Sequence, residues 1–169
     1  MKKFTIYAAT SVALLTLLVA CGGGGSSTPA QTPVVADVTD KYVGTWTVCV
    51  PNAPAASVGA TKEVINWKKT SATVATYDFT QTSYANTTCA GTPTSTNTST
   101  GTDTFVGTKL IGSTSVDKIS VIDSTAPTTT LKGISTVVGN LLKTGDGNSP
   151  LDAEGYPTAL DTVYIYTKQ

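Results

Sequence analysis

Short runs of alternating apolar and polar residues follow one another along the chain from about residue 40. Residues 42–51 divide into a larger apolar face and a smaller, mostly polar face: Tyr42, Trp46, Val48 and Val50 against Val43, Thr45, Thr47 and Cys49. Near the C-terminus the same alternation separates two aliphatic from two aromatic residues: Val163 and Ile165 against Tyr164 and Tyr166. A period of two residues predicts β-strands that are buried on one face.

The same pattern, interrupted by turn-forming residues, continues between these two segments. Further strands are predicted at 62–67, 72–80, 103–111 (bent or divided at Gly107), 116–123 and 131–142 (one or two strands, with Gly133 and Gly139). Three segments are predicted to lie outside strands: a polar loop at 90–102 that does not enter a core, a turn around Pro127 and a long loop at 144–157. The resulting seven to nine short strands predict an all-β fold, a small antiparallel barrel or sandwich.

The first 20 residues have the composition of an export signal. Lys2 and Lys3 precede an apolar stretch at 4–20 that contains several hydroxyl side chains. This stretch is shorter and more polar than a membrane-spanning helix, which needs about 20 mostly apolar residues. The segment Leu18-Val19-Ala20-Cys21 then resembles the lipobox of bacterial lipoproteins.

That resemblance implies cleavage before Cys21, attachment of acyl chains such as palmitate to this cysteine, and anchoring in a membrane. Two or three acyl chains anchor a protein stably, whereas one does not. Gly22 at the next position resembles the sorting signal for the outer membrane, with the protein facing the periplasm or the cell surface. Residues 21–36, rich in Gly, Ser and Pro, are expected to form a flexible tether, and 37–169 a single domain.

Composition narrows the chemistry that this domain can perform. Without Lys2 and Lys3 the chain has nine lysines, no arginine and eleven acidic residues, so no basic patch for nucleic acid is expected. The chain has no histidine, which removes the common catalytic triads and most zinc sites. We therefore expect no catalytic residue, no metal, no cofactor and no enzymatic activity.

Cys49 and Cys89 are the two cysteines that remain after the lipid site. In an oxidising compartment, a pair of cysteines within a small domain predicts a disulfide. Closing a loop of this length stabilises a fold by about 4 kcal/mol in the chain-entropy model. The alternatives are two buried thiols or a pair of metal ligands.

The segment Gly44-Thr45-Trp46 resembles the Gly-x-Trp motif of lipocalin-like barrels, and Trp46-x-x-Cys49 with Tyr84-x-x-x-x-Cys89-x-Gly91 resembles small uncharacterised bacterial lipoproteins. The first resemblance implies an eight-stranded barrel, closed at one end by Trp46, that holds a small apolar ligand. Lipocalins usually stack an arginine from the last strand on this tryptophan, and this chain contains no arginine. The alternative is that Trp46 is an ordinary core residue of a strand.

Two groups of carboxylates remain as candidate sites. The loop 146–155 carries acidic and amide side chains at alternating positions, as calcium ligands do, but it departs from the EF-hand pattern and equally fits turn geometry. Four strand carboxylates could supply a pair for glycoside hydrolysis, but scattered carboxylates of this kind are expected on solvated faces: Asp78, Asp103, Asp117 and Asp123. The expected function is binding of a small apolar ligand in a membrane-anchored barrel. The alternative is an interaction or structural role in which the domain contacts another envelope protein.

Overall fold

A computed structural model describes residues 36–52 and 59–169 as an eight-stranded β-barrel. Each strand pairs antiparallel with the next along the chain, and β8 pairs with β1 to close the barrel. The strands are β1 Gly44–Pro51, β2 Ala60–Lys69, β3 Val74–Tyr84, β4 Ser95–Ile111, β5 Thr114–Asp123, β6 Thr130–Val138, β7 Leu141–Gly145 and β8 Leu160–Lys168. The predicted all-β class and barrel are confirmed. Within the described residues, no helix is long and apolar enough to cross a membrane.

The alternation in the sequence determines which side chains fill the barrel. In β1, Trp46 is fully buried and Val50 is buried, whereas Cys49 between them is exposed on the outer face. In β8, Tyr166 is buried among core residues and Val163 is exposed. The faces predicted for these two strands are therefore confirmed, and the pairing of β1 with β8 brings them together at the closure of the barrel.

One end of the barrel, called here the helix end, is closed by a 3₁₀ helix at Val38–Lys41. Thr39 of this helix is fully buried, and its hydroxyl donates to the carbonyl of Ser71 at 2.9 Å. Lys69 at the end of β2 lies 2.6 Å from carboxylate oxygens of both Asp37 and Asp40. These contacts hold the helix against the hairpin that joins β2 and β3. The opposite end, where the longer connections lie, is called the loop end.

Strand β4 corrects the prediction for 90–102. Residues 95–102 are not a loop but the first half of β4, paired with β3 from Ser95 opposite Ser83 onward. Threonine is β-branched and favours strands, and a strand near a water-accessible end does not need apolar side chains. The prediction that the segment around Gly107 is one bent strand is confirmed, because the register shifts between Phe105 and Gly107 and Gly107 has a φ of +138°.

The connection between β7 and β8, residues 146–159, packs against the outside of the barrel. Tyr156 of this connection forms a second apolar cluster with Val116 of β5 and Ile134 of β6. Both of these residues lie on the outer face of their strands, and the connection buries them. The predicted long loop is thus confirmed as a loop, although it is an ordered cover over β5 and β6.

A disulfide joins Cys49 of β1 to Cys89 in the β3–β4 connection, with Cα atoms 6.1 Å apart. The predicted pairing is confirmed. The disulfide lies beside the place where β1 pairs with β8 and closes the barrel. That pairing has only two positions, Trp46 with Lys168 and Thr47 with Thr167. The predicted signal segment, the lipidation site Cys21 and all but the last residue of the predicted tether lie outside the described residues.

Candidate ligand-binding cavity

The barrel contains an open cavity of about 430 Å³ between its core and the loop end. Its walls come from inward-facing residues of β2 to β6, and most of them are aromatic or aliphatic. The main apolar contributors are Ile65, Trp67, Tyr77, Phe79, Ile119 and Val121. A volume in this range accommodates a small organic molecule, since ligand pockets are commonly about 300–1,000 Å³.

Small inward-facing residues create this space. Gly133 of β6 lines the cavity, and a Cβ placed there would meet only Val121 Cγ2, at 3.9 Å. Gly101 of β4 faces Tyr77, and a Cβ there would clash with the tyrosine hydroxyl. Glycine at 133 therefore leaves volume empty, whereas glycine at 101 makes room for the Tyr77 side chain.

Asp103 is a buried carboxylate in the wall of the cavity. The residue is 4% exposed and its Oδ2 accepts a hydrogen bond from Trp67 Nε1 at 2.7 Å. Its Oδ1 has no hydrogen-bond partner. In the part of the chain that the structure describes, every other buried side-chain oxygen or nitrogen has one. Burial raises the pKa of Asp103 to about 6, although the bond from Trp67 opposes this shift. The group is costly to keep buried, because an unpaired buried acceptor loses its bonds to water.

Asp123, at the end of β5, also lines the cavity, but its oxygens are fully used. Oδ2 accepts from the Tyr77 hydroxyl at 2.7 Å and from Ser99 Oγ at 3.0 Å. Oδ1 accepts from the Thr125 hydroxyl and backbone amide. These bonds, those from Thr125 first, hold the pKa of Asp123 far below its ordinary value. Burial of Tyr77, together with the hydrogen bond that it donates to Asp123, raises the pKa of the Tyr77 phenol well above its ordinary range.

The lining of the cavity extends to a gap in the barrel wall between β6 and the β7–β8 connection. The pairing of β6 with β7 ends at Ser135 opposite Thr144, so the first half of β6 has no partner on that side. Gly147 and Pro157 of the connection complete the lining there, together with Lys132 of β6. The β7–β8 connection, rather than backbone pairing with a neighbouring strand, therefore borders the cavity on this side.

Ion pairs hold the β7–β8 connection in place beside this gap. Lys109 pairs with Asp152, and Lys118 lies 2.8 Å from Glu154 Oε2. Asp152 Oδ1 also accepts from the backbone amides of Glu154 and Tyr156, each at 2.9 Å. The bond from Lys109 and these amides lower the pKa of Asp152 to about 2. The acidic side chains of this loop therefore shape turns and bind lysines, and the part of the chain that the structure describes contains no cluster of three potential metal ligands.

The predicted plug residues Gly44 and Trp46 lie at the helix end, away from the cavity opening. Trp46 is fully buried, and its Nε1 donates to the Tyr42 carbonyl at 2.6 Å. Lys168 of β8 places its Nζ 5.2 Å from the centre of the Trp46 ring. Gly44 has a φ of +119°, and a Cβ there would lie 3.1 Å from Lys168 Cε, so glycine both adopts this conformation and lets the lysine pass.

A separate polar contact lies within the barrel between β2, β3 and β8. Glu63 is buried and accepts from the Tyr166 hydroxyl and from Gln81 Nε2, the latter at 2.9 Å. Burial and this bond raise the pKa of Tyr166 above its ordinary range. Both Glu63 oxygens are occupied by neighbouring side chains, so this contact ties β8 to β2 and leaves no free group for a ligand.

The expectation that the strand carboxylates are solvated is wrong for two of them. Asp103 and Asp117 are each 4% exposed, whereas Asp78 lies on the outer face in a partly exposed ion pair with Lys68. The sequence contained a signal for Asp103, because it lies two residues before the buried Phe105 and thus on the same face of β4. In the same way, Trp67 and Tyr77 lie on the face of their strands that also carries the other buried residues.

Comparisons of this chain with protein-family models, curated protein sequences and solved structures find no match.

Proposed function

We propose that this chain is an envelope lipoprotein, anchored to the outer membrane through lipid on Cys21, whose barrel binds a small and largely apolar ligand. The observation that carries the binding half of this proposal is the cavity of about 430 Å³ with its apolar wall. A barrel with only a structural role has no need of such a space, because bulky inward side chains fill small eight-stranded barrels. The anchoring half rests on the resemblance of residues 18–21 to a lipobox.

The architecture at the helix end supports a lipocalin-like interpretation. A short helix closes the end of an eight-stranded meander, and the buried Trp46 follows Gly44 on its first strand. Lys168 takes the position over Trp46 that an arginine from the last strand takes in lipocalins. A closed and rigid end of this kind leaves the other half of the barrel free to hold a ligand.

The test is to fill the cavity from a position that tolerates a side chain. Gly133→Phe places a ring in the cavity, since a Cβ there meets nothing closer than Val121 Cγ2 at 3.9 Å. Thr130→Phe is the matched control, because Thr130 is exposed on the same strand and on its outer face. The full chain is exported in a bacterial host, held in phosphatidylcholine nanodiscs and titrated with 1-hexanol by calorimetry, with empty discs as the blank.

We expect saturable binding to the wild type and to Thr130→Phe, and at least about a tenfold weaker affinity in Gly133→Phe, because the added ring occupies the binding volume. Denaturing mass spectrometry of the same sample reports cleavage before Cys21 and the mass of the acyl chains. Equal binding to all three proteins, or no saturable binding, contradicts the ligand proposal.

The alternative is an interaction or structural role in which the barrel contacts another envelope protein. It is favoured by exposed apolar side chains at hairpins of the helix end: Leu110, Val138 and Leu141 are 67%, 67% and 40% exposed. Large exposed apolar groups commonly mark contact surfaces. Absence of ligand binding together with a specific crosslink from this end to a partner in intact cells would favour this role.

A further inference from the structure

The polar groups in the cavity wall differ in whether the protein already satisfies them. Asp123 accepts four hydrogen bonds from three neighbouring residues. Lys132 donates to the carbonyl of Glu154 in the β7–β8 connection. Asp103 alone keeps a buried oxygen, Oδ1, without a partner in the described part of the chain. Among the carboxylates that line the cavity, Asp103 is therefore the one that the protein leaves with an unpartnered hydrogen-bond acceptor in the described part of the chain.

The chemistry of this acceptor selects the kind of donor that would satisfy it. A carboxylate removed from water is stabilised most by an opposite charge that also forms a hydrogen bond, and such bonds are about twice as strong as neutral ones. Trp67, Tyr77 and Phe79 line the same cavity, and aromatic rings attract cations. An anionic ligand would face the carboxylates of both Asp103 and Asp123, whereas the cation among the described lining residues, Lys132, lies on the outer face of β6 and donates to the Glu154 carbonyl.

Building on the proposed ligand-binding function, we propose that the ligand is a small amphipathic amine, whose ammonium group pairs with the Asp103 carboxylate in the cavity wall and whose apolar part occupies the rest of the cavity. Trp67 acts as a positioning residue, because its bond to Oδ2 at 2.7 Å orients the carboxylate. The raised pKa of Asp103, about 6, has burial as its main cause, and an ammonium beside it supplies the compensating charge that the protein lacks.

Three water-soluble probes with the same chain and different head groups test this inference: hexylamine, 1-hexanol and hexanoate. They are titrated at pH 7.5 into the full chain in phosphatidylcholine nanodiscs. The variants are Asp103→Asn, which removes the charge but keeps an acceptor for Trp67, and the control Asp78→Asn, which removes a partly exposed carboxylate of the outer face. Gly133→Phe reports whether each probe occupies the cavity.

We expect the wild type and Asp78→Asn to bind hexylamine at least about tenfold more tightly than 1-hexanol, with hexanoate the weakest, because only the amine offers a charged donor. In Asp103→Asn the preference for the amine falls to about threefold or less, while the affinity for 1-hexanol is unchanged. The comparison of head groups in the wild type requires no variant, so it stands even where a substitution impairs folding.

The outcomes separate this inference from the function on which it rests. Binding of 1-hexanol that Gly133→Phe blocks, without a preference for the amine, overturns the amine inference and leaves ligand binding intact. A preference for the amine that persists in Asp103→Asn shows that another group binds the ammonium, and it also overturns the inference. Failure of all three probes to bind the wild type overturns both proposals.

Discussion

Two carboxylates with the same exposure, Asp117 at the helix end and Asp103 in the cavity wall, have opposite surroundings. Each is 4% exposed. Asp117 Oδ2 accepts from the Tyr42 hydroxyl and lies 2.6 Å from Lys41 Nζ, so its charge is paired. Asp103 receives one bond from Trp67 and has no cation among its contacts. Burial alone thus does not distinguish a structural carboxylate from a candidate binding group. The hydrogen-bond donors and the cation around the carboxylate do distinguish them.

The same contrast extends to the rings around each group. At the helix end Tyr42 packs against Phe105 with ring centres 4.7 Å apart, and its hydroxyl lies 3.0 Å from the Ser135 carbonyl oxygen. Burial and the contact with Asp117 raise the pKa of Tyr42 above its ordinary range. In the cavity half, Gly133 leaves volume empty, while Gly101 makes room for the Tyr77 side chain. One half of the barrel is filled and fully bonded, and the other leaves room and an unused acceptor.

The largest effect on stability is expected for Asp117→Ala. The substitution removes the partner of Lys41 and one acceptor of the Tyr42 hydroxyl, and it leaves a small void. We expect the free energy of unfolding to fall by about 2–3 kcal/mol. This loss is smaller than that of breaking a fully buried ion pair, because Lys41 is 42% exposed and its ammonium can turn to water. Urea unfolding at pH 7 measures the loss, and a change within error would show that Asp117 is no more structural than Asp103.

A change of opposite sign is expected for Asp103→Asn. With its pKa near 6 rather than 3.8, Asp103 keeps its proton in the folded protein over a pH range in which the unfolded chain has released it. The folded state therefore binds more protons between about pH 4 and 6, and this group's contribution to stability falls as the pH rises through that range. The neutral amide avoids this loss while it still accepts from Trp67.

We expect Asp103→Asn to be about 1–2 kcal/mol more stable than the wild type at pH 7, and we expect this gain to disappear as the pH falls below about 4, where Asp103 is protonated in both the folded and the unfolded chain. The gain is smaller than the full electrostatic cost because the amide brings its own unpartnered donors. Urea unfolding of both proteins across this pH range gives the difference directly. A variant that is less stable at pH 7 would mean that the charge of Asp103 is paired in the folded protein.

The smallest effect is expected for Lys168→Met at the helix end. The substitution keeps an apolar chain over Trp46 but removes the charge that lies 5.2 Å from its ring centre. We expect a loss of about 0.5–1 kcal/mol, because Lys168 is exposed and water weakens the attraction of a cation to a ring. Lys168→Arg, which keeps the charge, should match the wild type; equal losses in both variants would point to packing instead.

The strands could be predicted where side chains alternate strongly. The faces of β1 and β8 followed from their sequences. Side chains alternate between the two faces of a strand, so only one orientation of each strand buries Trp46 of β1 and the tyrosines of β8. The disulfide between Cys49 and Cys89 followed from cysteine number. The first half of β4 was missed because its Ser and Thr residues carry no apolar period, and only pairing with β3 revealed it as a strand.

The sequence by itself determined the all-β class, the inward and outward faces of the first and last strands, and the pairing of Cys49 with Cys89, since these depend on local periodicity and composition. The tertiary structure decided the closure of the barrel, the position of Lys168 over Trp46 and the different surroundings of Asp103 and Asp117. These features depend on residues far apart in the chain: Tyr42 reaches Asp117 across 75 positions, and Trp67 reaches Asp103 across 36. Which buried charge is paired and which is left free is a property of such distant contacts, so only the folded chain could show it.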